Sequence, residues 1–319
     1  MTSVSTVPAM SSVLSVPVPA ATRPTVAAPD VEMAVLDTVV GFTDRLDRER
    51  RSGRTVGVVL TMGALHRGHA SLIERAAAEC DVVAVTVFVN PTQFVESADL
   101  DNYPRTLVDD LSVAEAAGAK VVFAPTVVEM YPGWPAPPAT SVSVHGLSER
   151  WEGVSRPGHF DGMATVVVKL LSMAGRCRAY FGEKDFQQLA IVRRTVRDLS
   201  LPVEVVGCTT VREADGLALS SRNVRLDRQE RDAATVLSAA LRAGADALSA
   251  GSDRSAVEST MADTVAKEPL VSLDYAALVD AVDLEPADDV TDGRTLRLII
   301  AASVGPVRLI DNIDPRRPA

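Results

Sequence analysis

Two apolar runs frame the clearest pattern in this chain. Val56, Val58, Val59 and Leu60 form one, and residues 82–89 (V-V-A-V-T-V-F-V) form the other. Neither alternates with polar residues, which suits strands buried on both faces, as in a parallel sheet. Between them Leu72, Ile73, Ala76, Ala77 and Cys80 recur at helical spacing. Residues 55–89 therefore predict a β–α–β unit with a right-handed crossover. The alternation continues downstream. Helices are expected over 107–117, 165–173 and 187–199, and strands over 120–124, 179–182 and 203–207. Upstream, Val35, Leu36, Val39, Val40, Phe42 and Leu46 suit a helix within 31–51. Such an order predicts an α/β fold, a Rossmann-like doubly wound parallel sheet.

The segments between these elements are polar and glycine- or proline-bearing. They include 90–94, 99–106, the proline-rich 131–140, and 147–162. Past Thr210 the texture changes. Residues 211–223 are polar, 227–249 and 253–267 are alanine-rich helical patterns, and 274–282, 295–303 and 306–310 read as strands. We therefore expect residues 30–210 to form the Rossmann-like domain and 211–319 a second, smaller α/β domain. Residues 1–29, rich in Ala, Pro, Ser, Thr and Val, read as a disordered extension that is dispensable for folding and turnover.

Composition narrows the possibilities. The chain has 319 residues, 47% of them hydrophobic, enough for two ordinary domains. A net charge of −10 argues against charge-driven binding to nucleic acid or anionic membrane. Three cysteines, Cys80, Cys177 and Cys208, stand singly in apolar contexts. They form no spaced pair, which points to a reducing cytoplasm rather than a disulfide framework. No apolar run approaches membrane-spanning length.

Chemistry concentrates where strands end. After the first buried strand comes T-M-G-A-L-H-R-G-H, residues 61–69. Its histidines, His66 and His69, fall three apart at a loop–helix junction and would share a face in helical geometry. A helix N-terminus offers unpaired N–H groups and a positive dipole end, which suits phosphate. The pair would also suit a solvated face. A zinc site would need more ligands than the remaining His145 and His159 readily supply. Lys184, after another predicted strand, is a point charge suited to polyphosphate, or else part of a surface ion-pair cluster with Glu183 and Asp185.

Residues 61–69 resemble the signature of the pantoate–β-alanine ligase family. H-x-G-H alone resembles that of the wider nucleotidylyltransferase and class I aminoacyl-tRNA synthetase superfamily. Five more clusters match the family in order. They are F-V-N-P-T-Q-F (88–94), Y-P-R-T (103–106) followed by Asp109 and Asp110, E-G-V-S-R-P-G-H-F (152–160), F-G-E-K-D-F-Q-Q (181–188) and L-S-S-R-N (219–223). The likeness spans roughly Val56 to Ile313. The chain departs from the family at Leu60, usually proline, at Trp151, usually leucine, and at Leu219, often methionine.

The resemblance implies ATP-dependent condensation of pantoate with β-alanine through a pantoyl adenylate, releasing pyrophosphate and AMP. It implies His66, His69 and Lys184 as catalytic groups. ATP contacts would come from Met62, Gly63, His66, Gly68, His69, Gly182, Glu183, Lys184, Asp185, Val211, Leu219, Ser220, Ser221 and Arg222. Met62, Gln93 and Gln188 would hold pantoate or β-alanine, and Arg156 and His159 would face the cleft. Mg2+ would ride mainly on the ATP phosphates, with Asp109 and Asp110 nearby. A cytoplasmic homodimer with a C-terminal lid, binding neither nucleic acid nor membrane, completes the expectation. Two other readings stay open at this point: an adenylyl transferase acting on a different acceptor, and a non-catalytic nucleotide-binding module.

Overall fold

The computed structural model of the chain describes residues 32–94, 100–288 and 295–316. The expected N-terminal extension and the start of the 99–106 loop lie outside the described residues. From Met33 onward the chain forms one compact unit.

The first part alternates as the hydrophobic pattern requires. In chain order it runs β1 (Ala34–Leu36), α1 (Val39–Arg51), β2 (Val56–Thr61), α2 (Arg67–Glu79), β3 (Val82–Val87), α3 (Leu107–Ala116) and β4 (Val121–Phe123). It continues through the short α4 (Val127–Met130) and α5 (Glu152–Ser155), then α6 (His159–Ala174), β5 (Cys177–Gly182), α7 (Phe186–Asp198) and β6 (Val203–Cys208). The six strands make one parallel sheet in the order β1-β4-β3-β2-β5-β6. Successive residues face opposite sides of a strand, and here both sides are covered. Val58, Ala84 and Val121 join the core built with Phe42, Leu46, Val166 and Leu170. Their neighbours Val59, Val85 and Val122 join the opposite core with Leu72, Ile73 and Ala114. That is why these strands carry no polar alternation.

From β2 the chain steps to β3 and β4, then returns to place β5 on the other side of β2. Connections leave β2 and β5 in opposite directions, so their C-terminal ends bound the crevice where open α/β sheets bind ligands. Both H-x-G-H and Gly182–Asp185 emerge there.

The second part adds α8 (Arg228–Ala233), α9 (Val236–Ser249), α10 (Arg254–Val265), β7 (Val271–Asp280), β8 (Leu296–Val304) and β9 (Val307–Ile313). Its sheet, β7-β8-β9, is antiparallel. The β8–β9 turn spans only Gly305 and Pro306, too short for a parallel crossover. Leu278, Leu298 and Ile300 pack beneath α9 and α10 with Leu241 and Met261. Ala277, Val279 and Ile299, on the other face, share the core of the first part. Arg308 on β9 reinforces that union by donating to both carboxylate oxygens of Glu152 on α5, at 2.6 and 2.7 Å.

Three expectations change. The helix expected within 31–51 is split, because Ala34–Leu36 pairs with β4 as an edge strand. The loop expected over 147–162 contains α5, and α6 begins at His159 after Gly158 turns the chain in the left-handed region. The helix expected over 227–249 is two helices, α8 and α9.

Candidate active site

The loop after β2 is braced before it reaches the histidines. Gly63 (φ 84°) and Ala64 (φ 52°) both adopt left-handed backbone. A Cβ on Gly63 would lie 2.9 Å from Asp110 Oδ2, so glycine is required there. Asp110 is 2% exposed and sits in the first turn of α3. Its carboxylate accepts the backbone N–H of Ala64 at 3.1 Å and of Leu65 at 2.7 Å, and the Thr106 hydroxyl at 3.3 Å.

His66 is the N-cap of α2 and His69 its third residue, and each side chain caps the turn. His66 Nδ1 accepts from the Gly68 N–H at 3.0 Å, and His69 Nδ1 accepts from the His66 N–H at 3.3 Å. The rings lie 4.2 Å apart. A nitrogen that accepts carries no proton, so each neutral ring bears its hydrogen on Nε2. Burial, with the neighbouring His66, pushes the His69 pKa down to about 4. Burial and Lys184 lower that of His66. At neutral pH the site therefore presents two fixed, uncharged Nε2–H donors. This corrects one expectation. The Gly68, His69 and Ala70 N–H groups are already satisfied by His66, so the imidazole edges, rather than these amides, are the groups left to meet an anion there.

At the end of β5, Gly182 leads into a 3-10 turn, Glu183–Asp185. The Lys184 side chain is only 17% exposed and its Nζ lies 3.3 Å from Asp185. Asp185 is itself exposed, and Lys184 and Arg222 hold its pKa below the ordinary value. Arg222 also acts electrostatically on Tyr103 and His159, so the Ser220–Arg222 loop belongs to the same neighbourhood. Ser220 Oγ caps the 3-10 turn Ser221–Arg225, leaving Arg222 exposed. Val211 and Leu219 form the base of that loop, Leu219 N–H donating to the Val211 carbonyl at 2.9 Å.

Gln93 is 7% exposed in the short 3-10 turn after β3. Its Nε2 lies 3.0 Å from Met62 Sδ, and its Oε1 accepts from Asn90 at 3.0 Å. Asn90 also donates to the Gly162 carbonyl and accepts from the Tyr131 hydroxyl. A Cβ on Gly162 would meet the Thr92 carbonyl at 2.1 Å, so α6 can approach only with glycine there.

Gln188 is half-buried on α7, while its neighbour Gln187 binds the Leu147 and Arg150 carbonyls and the Glu152 N–H. His159 is fully occupied, with Nδ1 on the Gln93 carbonyl at 2.8 Å and Nε2 on Arg156 at 3.2 Å. It positions the Gln93 turn. Asp109 is exposed and Asp110 buried, so the adjacent acids point apart. With its oxygens committed to the loop, Asp110 does not fit the role of metal ligand. Among the described residues there is no group of three or more His, Cys, Asp or Glu that could hold a metal ion. The three cysteines are free and buried, and no described helix is long and apolar enough to cross a membrane.

Asn90, Gln187, Arg297 and Asn312 escaped the sequence reading. An asparagine after a strand or a polar pair inside one carries no local signal of the partner it will meet. The N-P-T-Q spacing, an Asx-capped turn, was the one available clue for Asn90.

The chain matches the family model described as pantoate-beta-alanine ligase over residues 34–314. It is 50% identical to the pantothenate synthetase of Cereibacter sphaeroides, covering 88% of this chain and 98% of that one. It is also 50% identical to the pantothenate synthetase of Rubrobacter xylanophilus, covering 83% and 92%. Among solved structures, the pantothenate synthetase of Thermus thermophilus superposes with a TM-score of 0.81 at 45% identity, covering 89% of this chain and 99% of that one. The pantoate-beta-alanine ligase of Francisella tularensis, solved with a β,γ-ATP ligand and β-alanine, gives 0.72 at 32%, covering 90% and 99%. The chain belongs to the pantoate–β-alanine ligase family.

Proposed function

We propose that this chain joins pantoate to β-alanine, using ATP, in two steps at one crevice. In the first, the pantoate carboxylate attacks the α-phosphorus of ATP, the bond to the bridging oxygen breaks, and pyrophosphate leaves. In the second, the β-alanine amine attacks the acyl carbon of pantoyl adenylate, AMP leaves, and the amine loses a proton. Neither step needs a covalent enzyme intermediate. Catalysis is then positioning plus stabilisation of developing charge.

The observation that carries the reading is the reciprocal capping of His66 and His69 beside Lys184. Two neutral Nε2–H donors follow β2 and the lysine follows its paired neighbour β5, close enough for Lys184 to act electrostatically on His66. Donors held in place meet negative charge without reorganising as pyrophosphate departs. Arg222 and the Ser220 and Ser221 hydroxyls extend that cationic wall toward the terminal phosphates. Gly63, Gly68 and Gly182 let the nucleotide approach the backbone, with Met62, Glu183, Asp185, Val211 and Leu219 lining its site. Met62 and Gln93 hold pantoate, and Gln188 joins them one turn along α7. Mg2+ travels with the ATP phosphates, and no step is routed through a protein-held ion.

The assignment of residues 211–319 as a covering domain, the homodimer and the cytoplasmic location belong to the same proposal. They rest on the family likeness and the unpaired thiols. Sedimentation of the purified protein tests the dimer. Pantoate-dependent exchange of pyrophosphate into ATP tests the reaction. Exchange with pantoate supports it. Exchange only with a phosphorylated cofactor precursor identifies a different adenylyl transferase, and no turnover at all leaves a binding module.

A further inference from the structure

Lys184 does not hold its own position. The two backbone carbonyls flanking its turn, those of Glu183 and Lys184, both accept from one carboxamide, Asn312 Nδ2, at 3.0 and 2.8 Å. Asn312 lies on β9, in the second part of the chain, and is 3% exposed. Its Oδ1 accepts from Arg297 Nε at 2.7 Å, and Arg297 Nη2 donates to Glu183 Oε2 at 3.1 Å. The Arg297 guanidinium lies 4.2 Å from the Phe186 ring centroid and is itself 7% exposed.

The same strand continues the connection. Asp311 accepts from the Asn312 N–H and takes both terminal nitrogens of Arg212, at 2.7 and 3.0 Å. Arg212 sits at the base of the hairpin that ends in Ser220–Arg222 and donates to the Gly216 carbonyl inside it. One strand of the second sheet thus grips the lysine turn with one residue and the serine–arginine loop with the next.

We propose that Asn312, oriented by Arg297, is a positioning residue that sets Lys184 for adenylate formation. The inference rests on the ligase reading above. A guanidinium this deeply buried needs partners wherever it lies, so a staple between the two parts of the chain explains Arg297 alone. It does not explain why both donors of one carboxamide end on the two carbonyls that fix the Lys184 backbone. A one-ångström displacement of a positioned group costs about 10²-fold in rate.

The test is a double-mutant cycle on the full chain. Asn312→Ala and Lys184→Ala are measured singly and together. Readouts are adenylate formation by rapid quench, amide formation from supplied pantoyl adenylate, and the thermal midpoint. Asn312→Ala is expected to slow adenylate formation by about 10²-fold and amide formation by less than about threefold. In the Lys184→Ala background it is expected to add nothing, because residues acting as one unit are not additive. Multiplicative losses, or equal loss in both half-reactions, overturn the proposal and leave a structural staple. If Asn312→Ala does not fold, Arg297→Lys enters the same cycle, since it keeps the charge near Glu183 but removes the Nε donor to Asn312. Wild-type protein that shows no pantoate-dependent exchange refutes the ligase reading instead, before any variant is compared.

Discussion

Asp110 Oδ1 accepts the backbone N–H of Leu65 at 2.7 Å, from a helix 45 residues downstream. Together with the bond from Ala64, it pins the left-handed stretch that delivers His66 to the crevice.

Asp110→Ala is therefore expected to destabilise the fold. It leaves two N–H groups in a half-buried loop without their acceptor, each costing about 1–3 kcal/mol. Turnover falls with it, while the Mg2+ concentration for half-maximal activity stays where it was. Urea unfolding and a Mg2+ titration check both. A shifted Mg2+ requirement with unchanged stability would return Asp110 to the metal.

The second prediction concerns the chemical step. On the proposed reaction, His69→Ala and Lys184→Ala each remove a donor placed to meet charge growing on the leaving pyrophosphate. Adenylate formation should fall by at least about 10²-fold in each. Amide formation from supplied pantoyl adenylate should fall less, since the triphosphate is gone by then. Rapid quench separates the two, and near-normal adenylate formation would sink the assignment.

Gln93 carries the third. Its carboxamide is already oriented by Asn90 and Met62. Gln93→Ala should raise the Michaelis constant for pantoate far more than that for ATP, by an amount equivalent to about 1–3 kcal/mol. Asn90→Ala should give a weaker form of the same change. Steady-state kinetics with each substrate varied decides it, and an unchanged pantoate constant removes Gln93 from the site.

The fourth follows from two buried histidines. His69 is held down to about 4 by burial and His66, and His159 to about 4 by burial and Arg156. In the unfolded chain both titrate near ~6.5. Between those values the unfolded chain binds protons that the folded one refuses. Stability from these residues is thus complete above about pH 6.5 and drains away as pH falls toward 4. Near pH 5 each adds about 1.4 kcal/mol per pH unit to the slope of stability against pH. Unfolding of wild type and His159→Gln at several pH values should show a slope lower by about that amount in the variant. Equal slopes would mean that His159 titrates normally in the fold.

The strands and helices around the crevice were readable because their cause is local. Val58 and Val59 must both be buried, and a run without polar breaks records that in the sequence. Ala34–Leu36 misled for the opposite reason. Its three residues fit a helical stripe equally well, and only pairing with β4 decided between them. His159 matched the family motif but joined the scaffold, since the exposure of its ring depends on how closely α6 meets the Gln93 turn.

The sequence alone determined the family, the doubly wound sheet and the place of His66, His69 and Lys184 at strand ends, because strand burial, turn chemistry and motif order are written within short stretches of chain. Which polar groups are free to act was decided only by the tertiary structure. Asp110 and Leu65 lie 45 residues apart, and Asn312 and Lys184 lie 128 apart. A hydrogen bond is fixed by distance and direction in space, and neither is legible until the chain has folded back on itself.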